Sequence, residues 1–309
     1  MFPVPVRRDT GKYALATGEA AAYRLGILHE LYGPGTRRVL LEAGLRRGMR
    51  VADLGCGVGM VTAMLAELVG PTGCVVGIDS SGAQLDQARD RVNTDGAHIR
   101  FVEASATATG LPLGSFDLVY CRFLLIHLPE PERALREMFA LLKPNGILVC
   151  EDGDLTASGS EPPSALDAFA DLWGRLGPRR GLDYTRGRRL FQMILDAGFP
   201  TPGITFNQPV VARGEQKRFL ELSVAEAGPA FICAGLITSR ELHRTLFKMR
   251  RLAGNESVLA VMPRMSQVWA RKPALPPSPS SADERAGATA GVDTPAADDP
   301  SQRATTTAF

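Results

Sequence analysis

The chain has 309 residues, 45% of them apolar and 22% charged, with 13 Phe, 5 Tyr and 2 Trp, which excludes a fibrous or wholly disordered protein. Its 35 Lys and Arg against 33 Asp and Glu leave a net charge of +2, so no global field draws it to nucleic acid or an anionic membrane; only a local patch could. Cys56, Cys74, Cys121, Cys150 and Cys233 stand far apart with no C-x-x-C pair, and they read as core residues of a cytoplasmic protein, not as disulfides or a metal site. Residues 1–13 hold no apolar core for a signal peptide, and no run of 18 apolar residues makes a membrane span.

Residues 14–43 read as one or two helices interrupted by Tyr32-Gly33-Pro34-Gly35, and residues 1–49 as an N-terminal helical lid. Residues 50–54 form a strand ending in a glycine cluster, 58–69 a helix, 74–78 a second strand and 81–93 a second helix. Strands follow at 99–102 and 116–120, then a helix at 130–142 stopped by Lys143-Pro144-Asn145-Gly146, then a fifth strand at 147–150. Apolar strands alternating with helices argue for a parallel sheet covered on both faces. Further on, 164–176 and 186–197 are helical, 204–211 is a strand, 215–251 is largely helical and 265–271 is a last strand. Residues 214–255 are long for a simple connection and read as a helical cap inserted into a domain of residues 50–272, beside its ligand crevice. Residues 273–309, with six prolines and one aromatic, read as a disordered tail.

Val51-Ala52-Asp53-Leu54-Gly55-Cys56-Gly57-Val58-Gly59 is the most informative segment. Alternating glycines directly after a strand let the backbone turn tightly and approach a ligand, at the sheet edge where ligands of such folds bind. Met60 stands where a dinucleotide fingerprint goes on towards its last glycine, and Asp53, expected to point into the crevice, would repel a pyrophosphate but suit an ammonium group. Asp79, 20 residues after Gly59, closes the second strand and can accept two hydrogen bonds from a ribose diol, or act as a helix cap. A nucleoside joined to an amino acid fits these features better than a dinucleotide.

The segment resembles the first motif of class I S-adenosylmethionine-dependent methyltransferases, and three further motifs follow in order. They are Val76-Gly77-Ile78-Asp79, Gly114-Ser115-Phe116-Asp117-Leu118-Val119 and Leu141-Leu142-Lys143-Pro144-Asn145-Gly146. The chain is most similar to the small-molecule methyltransferases of the ubiquinone/menaquinone-biosynthesis-like group, over about residues 50–154. The resemblance implies an α/β fold: a Rossmann-like seven-stranded mostly parallel sheet with helices on both faces, N-terminal helices and a helical cap insertion. It further implies S-adenosyl-L-methionine as cofactor, with Asp53, Gly55, Cys56, Gly57 and Gly59 at its methionine half, Asp79 at the ribose and Ser80 beside the adenine. Glu103-Ala104-Ser105-Ala106 departs from the family, placing a hydroxyl at Ser105, beside Ala106, where an acidic residue is common. Cys121 and Arg122, after the fourth strand, become cofactor-shell candidates, and Arg122 could pair with a carboxylate; Tyr13, Tyr23 and Arg24 would touch the cofactor from the lid.

Methyl transfer from a sulfonium is an in-line displacement that needs alignment and exclusion of water, and a base only when the acceptor loses a proton. His127 is the candidate base, with packing or capping as its alternative, while His29, His98 and His243 read as packed or solvated. Glu151, Asp152 and Asp154 could bind a substrate cation or solvate a loop. Arg175, Arg179, Arg180, Arg186, Arg188 and Arg189 could bind phosphate or RNA, or simply form a solvated helix face and loop. The expected partner is a small-molecule acceptor, with a homodimer allowed and nucleic acid disfavoured. The competing functions are an RNA methyltransferase and a non-catalytic cofactor-binding scaffold.

Overall fold

The computed structural model describes residues 19–92 and 99–274. Tyr13, His98 and the tail from residue 275 lie outside these, and so do the expectations placed on them.

The strands in chain order are β1 (Arg50–Leu54), β2 (Cys74–Asp79), β3 (Ile99–Glu103), β4 (Phe116–Arg122), β5 (Leu142–Asp154), β6 (Gly159–Glu161), β7 (Gly203–Asn207), β8 (Val210–Val211), β9 (Leu259–Val261) and β10 (Arg264–Arg271). The helices are α1 (Glu19–Ala43), α2 (Met60–Val69), α3 (Gly82–Arg91), α4 (Pro131–Leu141), α5 (Ala168–Arg180), α6 (Leu190–Asp196), α7 (Phe219–Cys233) and α8 (Ser239–Leu252). Seven strands form the main sheet in the order β3-β2-β1-β4-β5-β10-β7. β1 to β5 pair in parallel, while β10 runs antiparallel to both β5 and β7. The order reverses between β1 and β4, and in an open α/β sheet the ligand crevice lies at such a point.

Strand periodicity sorts the core. Ala52, Leu54, Val76, Ile78, Val119, Cys121, Leu148 and Cys150 face α4 and α6, where Leu135, Met138 and Ile194 close over them. The intervening Val51, Val75, Leu118, Tyr120 and Val149 face α1 and α2, through Val39, Leu40, Val61 and Leu65. Each such buried aliphatic contributes roughly 1.5–3 kcal/mol. A third cluster joins α1 to α5 and α7 through Ile27, Leu28, Phe169, Trp173, Phe219 and Phe231. The helical insertion is α7 and α8, which lie in the chain between β8 and β9.

Three expectations need correction. Tyr32-Gly33-Pro34-Gly35 does not interrupt α1, which runs unbroken through Pro34. Next to it, Gly35 gives Asn207 room: a Cβ on residue 35 would lie 2.1 Å from the Asn207 Nδ2, and that amide donates to the Tyr32 carbonyl at 3.4 Å. Lys143-Pro144-Asn145-Gly146 is no free turn but an excursion within β5; Asn145 takes φ 63°, and Asn145 and Gly146 exchange backbone bonds with Lys272. The strand expected at 204–211 is two strands in different sheets, since Pro209 between them has no N–H to continue a ladder. β8 instead joins β9 and β6 in a three-stranded sheet that the short, polar β6 segment Gly159-Ser160-Glu161 did not announce.

Candidate functional site

β1 delivers Asp53, and the loop after it turns on Gly55, Gly57 and Gly59, whose φ values of 72°, 54° and 77° are left-handed. Side chains there would meet neighbours: a Cβ on Gly55 would lie 2.9 Å from Leu124 Cδ1, and one on Gly57 2.9 Å from Gln84 Oε1. Gly59 serves packing instead, against Ala88, Phe101 and Val92. The N–H groups of Gly55 and Cys56 both donate to the Ile78 carbonyl, which pins the loop to the end of β2. Cys56 is buried, and burial pushes its thiol far up.

Asp79 faces this loop. Its carboxylate accepts from Gly57 N and Ser81 N, both at 2.9 Å, while Ser81 itself caps α3 by accepting from Gln84 N. A carboxylate has about four acceptor sites, so two backbone bonds leave room for a diol. Burial raises the Asp79 pKa, and the Ser81 and Gly57 N–H groups partly restore it. Ser80 beside it is exposed.

Asp53 corrects the sequence reading: it does not open onto the crevice. Only 2% exposed, it accepts from Thr62 Oγ1 at 2.6 Å beneath the start of α2. Burial raises its pKa to about 6, against the lowering effects of the Thr62 bond and the Arg122 charge. Any influence on a ligand is therefore exerted through space. Cys121 is a second correction. Fully buried in the core opposite Cys150, its side chain cannot line a crevice, and the bond to Cys150, with burial, raises its thiol pKa far above the usual value. Arg122, two residues beyond Tyr120 on the same face, reaches Thr36 Oγ1 at 3.3 Å rather than a carboxylate.

Thr36 belongs to a buried hub that residue-by-residue sequence reading missed. Glu151, expected to be solvated or to bind a cation, is buried within β5 and accepts from Thr36 Oγ1 at 2.7 Å, from Tyr120 OH and from Gln267 Nε2. The available signal was a carboxylate following the unbroken apolar run Ile147 to Cys150. Asp152 and Asp154 are buried as well. Asp152 accepts from the N–H groups of Ile126 and Gly153, and burial lifts its pKa to about 7. Asp154 holds Thr156, Arg188 at 2.5 Å and Arg264 at 3.5 Å. These side chains build the site's floor and offer no open cation site.

Ser105 is exposed and bonds Thr107 Oγ1 at 2.9 Å; Ala106 packs on the core. His127 sits on a 3₁₀ turn (Leu125–His127), edge-on to Tyr184 with ring centroids 6.0 Å apart. The ring is packed deeply enough that burial, with the Arg24 and Arg180 charges, lowers its pKa to about 3. It is neutral at pH 7 and, as a base, feeble. His29, on α1 beside Met64, is lowered to about 4, chiefly by burial. Tyr23 and Arg24 do not reach the loop: Tyr23 donates to Glu215, and Arg24 forms a buried ion pair with Glu226 at 2.6 Å. The arginine cluster is largely absorbed by the fold, Arg186 on the Leu128 carbonyl, Arg175 on Asp171, Arg179 on the Ala234 carbonyl and Arg188 on Asp154. A cleft of about 350 Å³ lies beside Gly59, between His29, Met60, Met64 and Arg91, on the helix side of the loop and away from Asp79.

Residues 51–146 match the family model described as a methyltransferase domain. The ubiquinone/menaquinone biosynthesis C-methyltransferase UbiE of Citrobacter koseri is 33% identical over 137 residues, 42% of this chain and 55% of the relative. That of Erwinia tasmaniensis is 35% identical over 160 residues, 49% and 62% of the two. The chain thus spans about three-fifths of the length of the curated relatives it matches. Among solved structures, a candidate methyltransferase of Bacillus halodurans superposes with a TM-score of 0.52 at 18% identity, over 78% of this chain and all of the other. The YcgJ protein of Bacillus subtilis does so at 0.50 and 15%, over 82% and 100%; these two likenesses are of fold.

Proposed function

We propose, on the premise that residues 51–146 form a class I S-adenosylmethionine-dependent methyltransferase domain, that this chain transfers a methyl group from S-adenosyl-L-methionine to a small organic molecule. The observation that carries the reading is the glycine loop: Gly55 and Gly57, both left-handed, turn the chain tightly at the end of β1 and hold it against the Asp79 carboxylate, which accepts from Gly57 N. The residues fit the cofactor. Gly55 and Gly57 would lie along its amino-acid half, the spare acceptor capacity of Asp79 would take the ribose hydroxyls, and Ser80, Ser105 and Ala106 would border the adenine. Arg122, held by Thr36, adds a cation at the mouth of β4.

When bound, the sulfonium supplies an already activated methyl group. The chain's part is alignment and exclusion of water, through a rigid loop, α1 laid over the sheet edge, and α7 fastened to α1. All five cysteines are free, which supports a reducing, cytoplasmic setting.

Isothermal titration tests the cofactor. S-adenosylmethionine should bind the wild type and NAD should give no heat. Asp79→Asn should weaken binding at least tenfold while circular dichroism stays unchanged. Unaltered affinity in a folded variant, or heat from NAD alone, contradicts the proposal. Incubation of the chain with methyl-labelled cofactor and a metabolite extract should label a small molecule. Label confined to RNA, or none at all, would replace the acceptor assignment with one of the competing functions.

A further inference from the structure

The exposed side of α8 is the strongest feature that the methyltransferase reading leaves unused. At 3.6 residues per turn, Arg240, Arg244, Phe247, Lys248 and Arg251 fall within an arc of about 100°, opposite the buried Leu242 and Met249. All four cations are exposed, and none of the ion pairs found among the described residues includes them. Phe247 is 63% exposed in their midst, with the Arg251 guanidinium 5.9 Å from its ring. Glu241, at the edge of the arc, is committed to the Thr238 cap, and Arg250, on another side of the helix, to Glu221. Between α8 and the turn at Ser164 and Ala165 lies a cleft of about 570 Å³, walled by Phe247 and Leu252 and rimmed by Arg244, Lys248 and Arg251.

We propose that this face of α8 docks the protein on the surface of an anionic lipid bilayer. The charge is complementary, and its layout argues for an extended surface. From Arg240 to Arg251 the cations run about 17 Å along the helix, further than one phosphate or carboxylate can span. Phe247 stands where a ring enters the headgroup region, and the apolar cleft behind it can take the upper part of an acyl chain. A single-stranded nucleic acid would need successive aromatic platforms, and this face has one ring. The near-neutral net charge of the chain makes the patch the local source of attraction.

Flotation of the full chain with vesicles tests this. At low salt the protein should float with phosphatidylcholine vesicles containing 30% phosphatidylglycerol and stay behind with pure phosphatidylcholine. Arg244→Gln with Lys248→Gln should weaken the partitioning about 30-fold, since each cation near an anionic surface contributes roughly a factor of five. Phe247→Ser should weaken it too, and raised salt should release the wild type. These substitutions are on the surface, far from the glycine loop, so binding of S-adenosylmethionine should be unchanged and reports that the fold is intact. Equal flotation with neutral vesicles, unchanged partitioning in the double variant, or binding to single-stranded RNA or an acidic peptide in place of vesicles overturns the proposal.

Discussion

Replacing Glu151 separates two ways of losing a buried carboxylate. Its Oε2 accepts from Thr36 and Tyr120, and its Oε1 from the Gln267 amide. Gln267 Oε1 is itself buried without a hydrogen-bond partner. Glu151→Gln can therefore be accommodated: the new amide nitrogen replaces Oε1, and Gln267 turns its amide over to present the oxygen. What is lost is the charge assistance of the Thr36 and Tyr120 bonds, about 1 kcal/mol each, partly offset by no longer burying a charge. A cost below about 2 kcal/mol follows. Glu151→Ala instead leaves three buried donors without an acceptor, at about 1–3 kcal/mol each, and adds a cavity. That variant should lose more than about 4 kcal/mol and on the order of 10 °C in Tm. Urea unfolding of the two variants beside the wild type measures the gap. Equal losses, or a glutamine variant worse than the alanine one, would show that Glu151 is not the acceptor that gathers these groups.

Other expectations are more local. Gly57→Ala places a Cβ at φ 54°, costing about 1–2 kcal/mol, and 2.9 Å from the movable Gln84 Oε1; the protein should fold, yet titrate with S-adenosylmethionine at least tenfold more weakly. Arg24→Ala strands the Glu226 carboxylate, whose side chain is 6% exposed, and should cost about 3–5 kcal/mol, much of it recovered in Arg24→Met with Glu226→Leu, as denaturant midpoints will show. Asp152 has a folded pKa of about 7 against an ordinary 3.8, so the native state holds a proton that the unfolded chain releases, and this group's contribution falls as pH rises from 4 to 7. The stability penalty of Asp152→Asn should accordingly shrink by up to about 4 kcal/mol between pH 4 and 8; a penalty constant with pH rules this out. His127, lowered to about 3, acts in the opposite sense, its contribution growing as pH rises from 3 to 6.5, and it cancels in the comparison because both proteins carry it.

The strands of the main sheet were legible because short apolar runs and glycine punctuation are local signals: β1 through β4 start where the pattern places them, and the loop from Gly55 to Gly59 turns as its glycines require. Contacts that depend on distant residues were not. Asp53 finds Thr62 nine positions on, and the acceptors of Glu151 meet donors at positions 36, 120 and 267, which no window along the chain brings together. Cys121 was misplaced by a question of face: a candidate identified only by its position after a strand has even odds of pointing away from the ligand, and the strand's alternation sends this one into the core. Pro34 was read as a helix break because proline lacks a donor, whereas tertiary packing of α1 on both sides of it, through Ile27, Leu28 and Tyr32 before and Val39, Leu40 and Ala43 after, overrides that local signal.

The continuity of α1 makes it a lever. One arm, at Tyr23 and Arg24, is clamped to Glu215 and Glu226; the other, at Thr36, bears on Glu151 and Arg122. About 18 Å of helix separates the two grips, so α1 ties the position of α7 to the carboxylate hub at the mouth of β4.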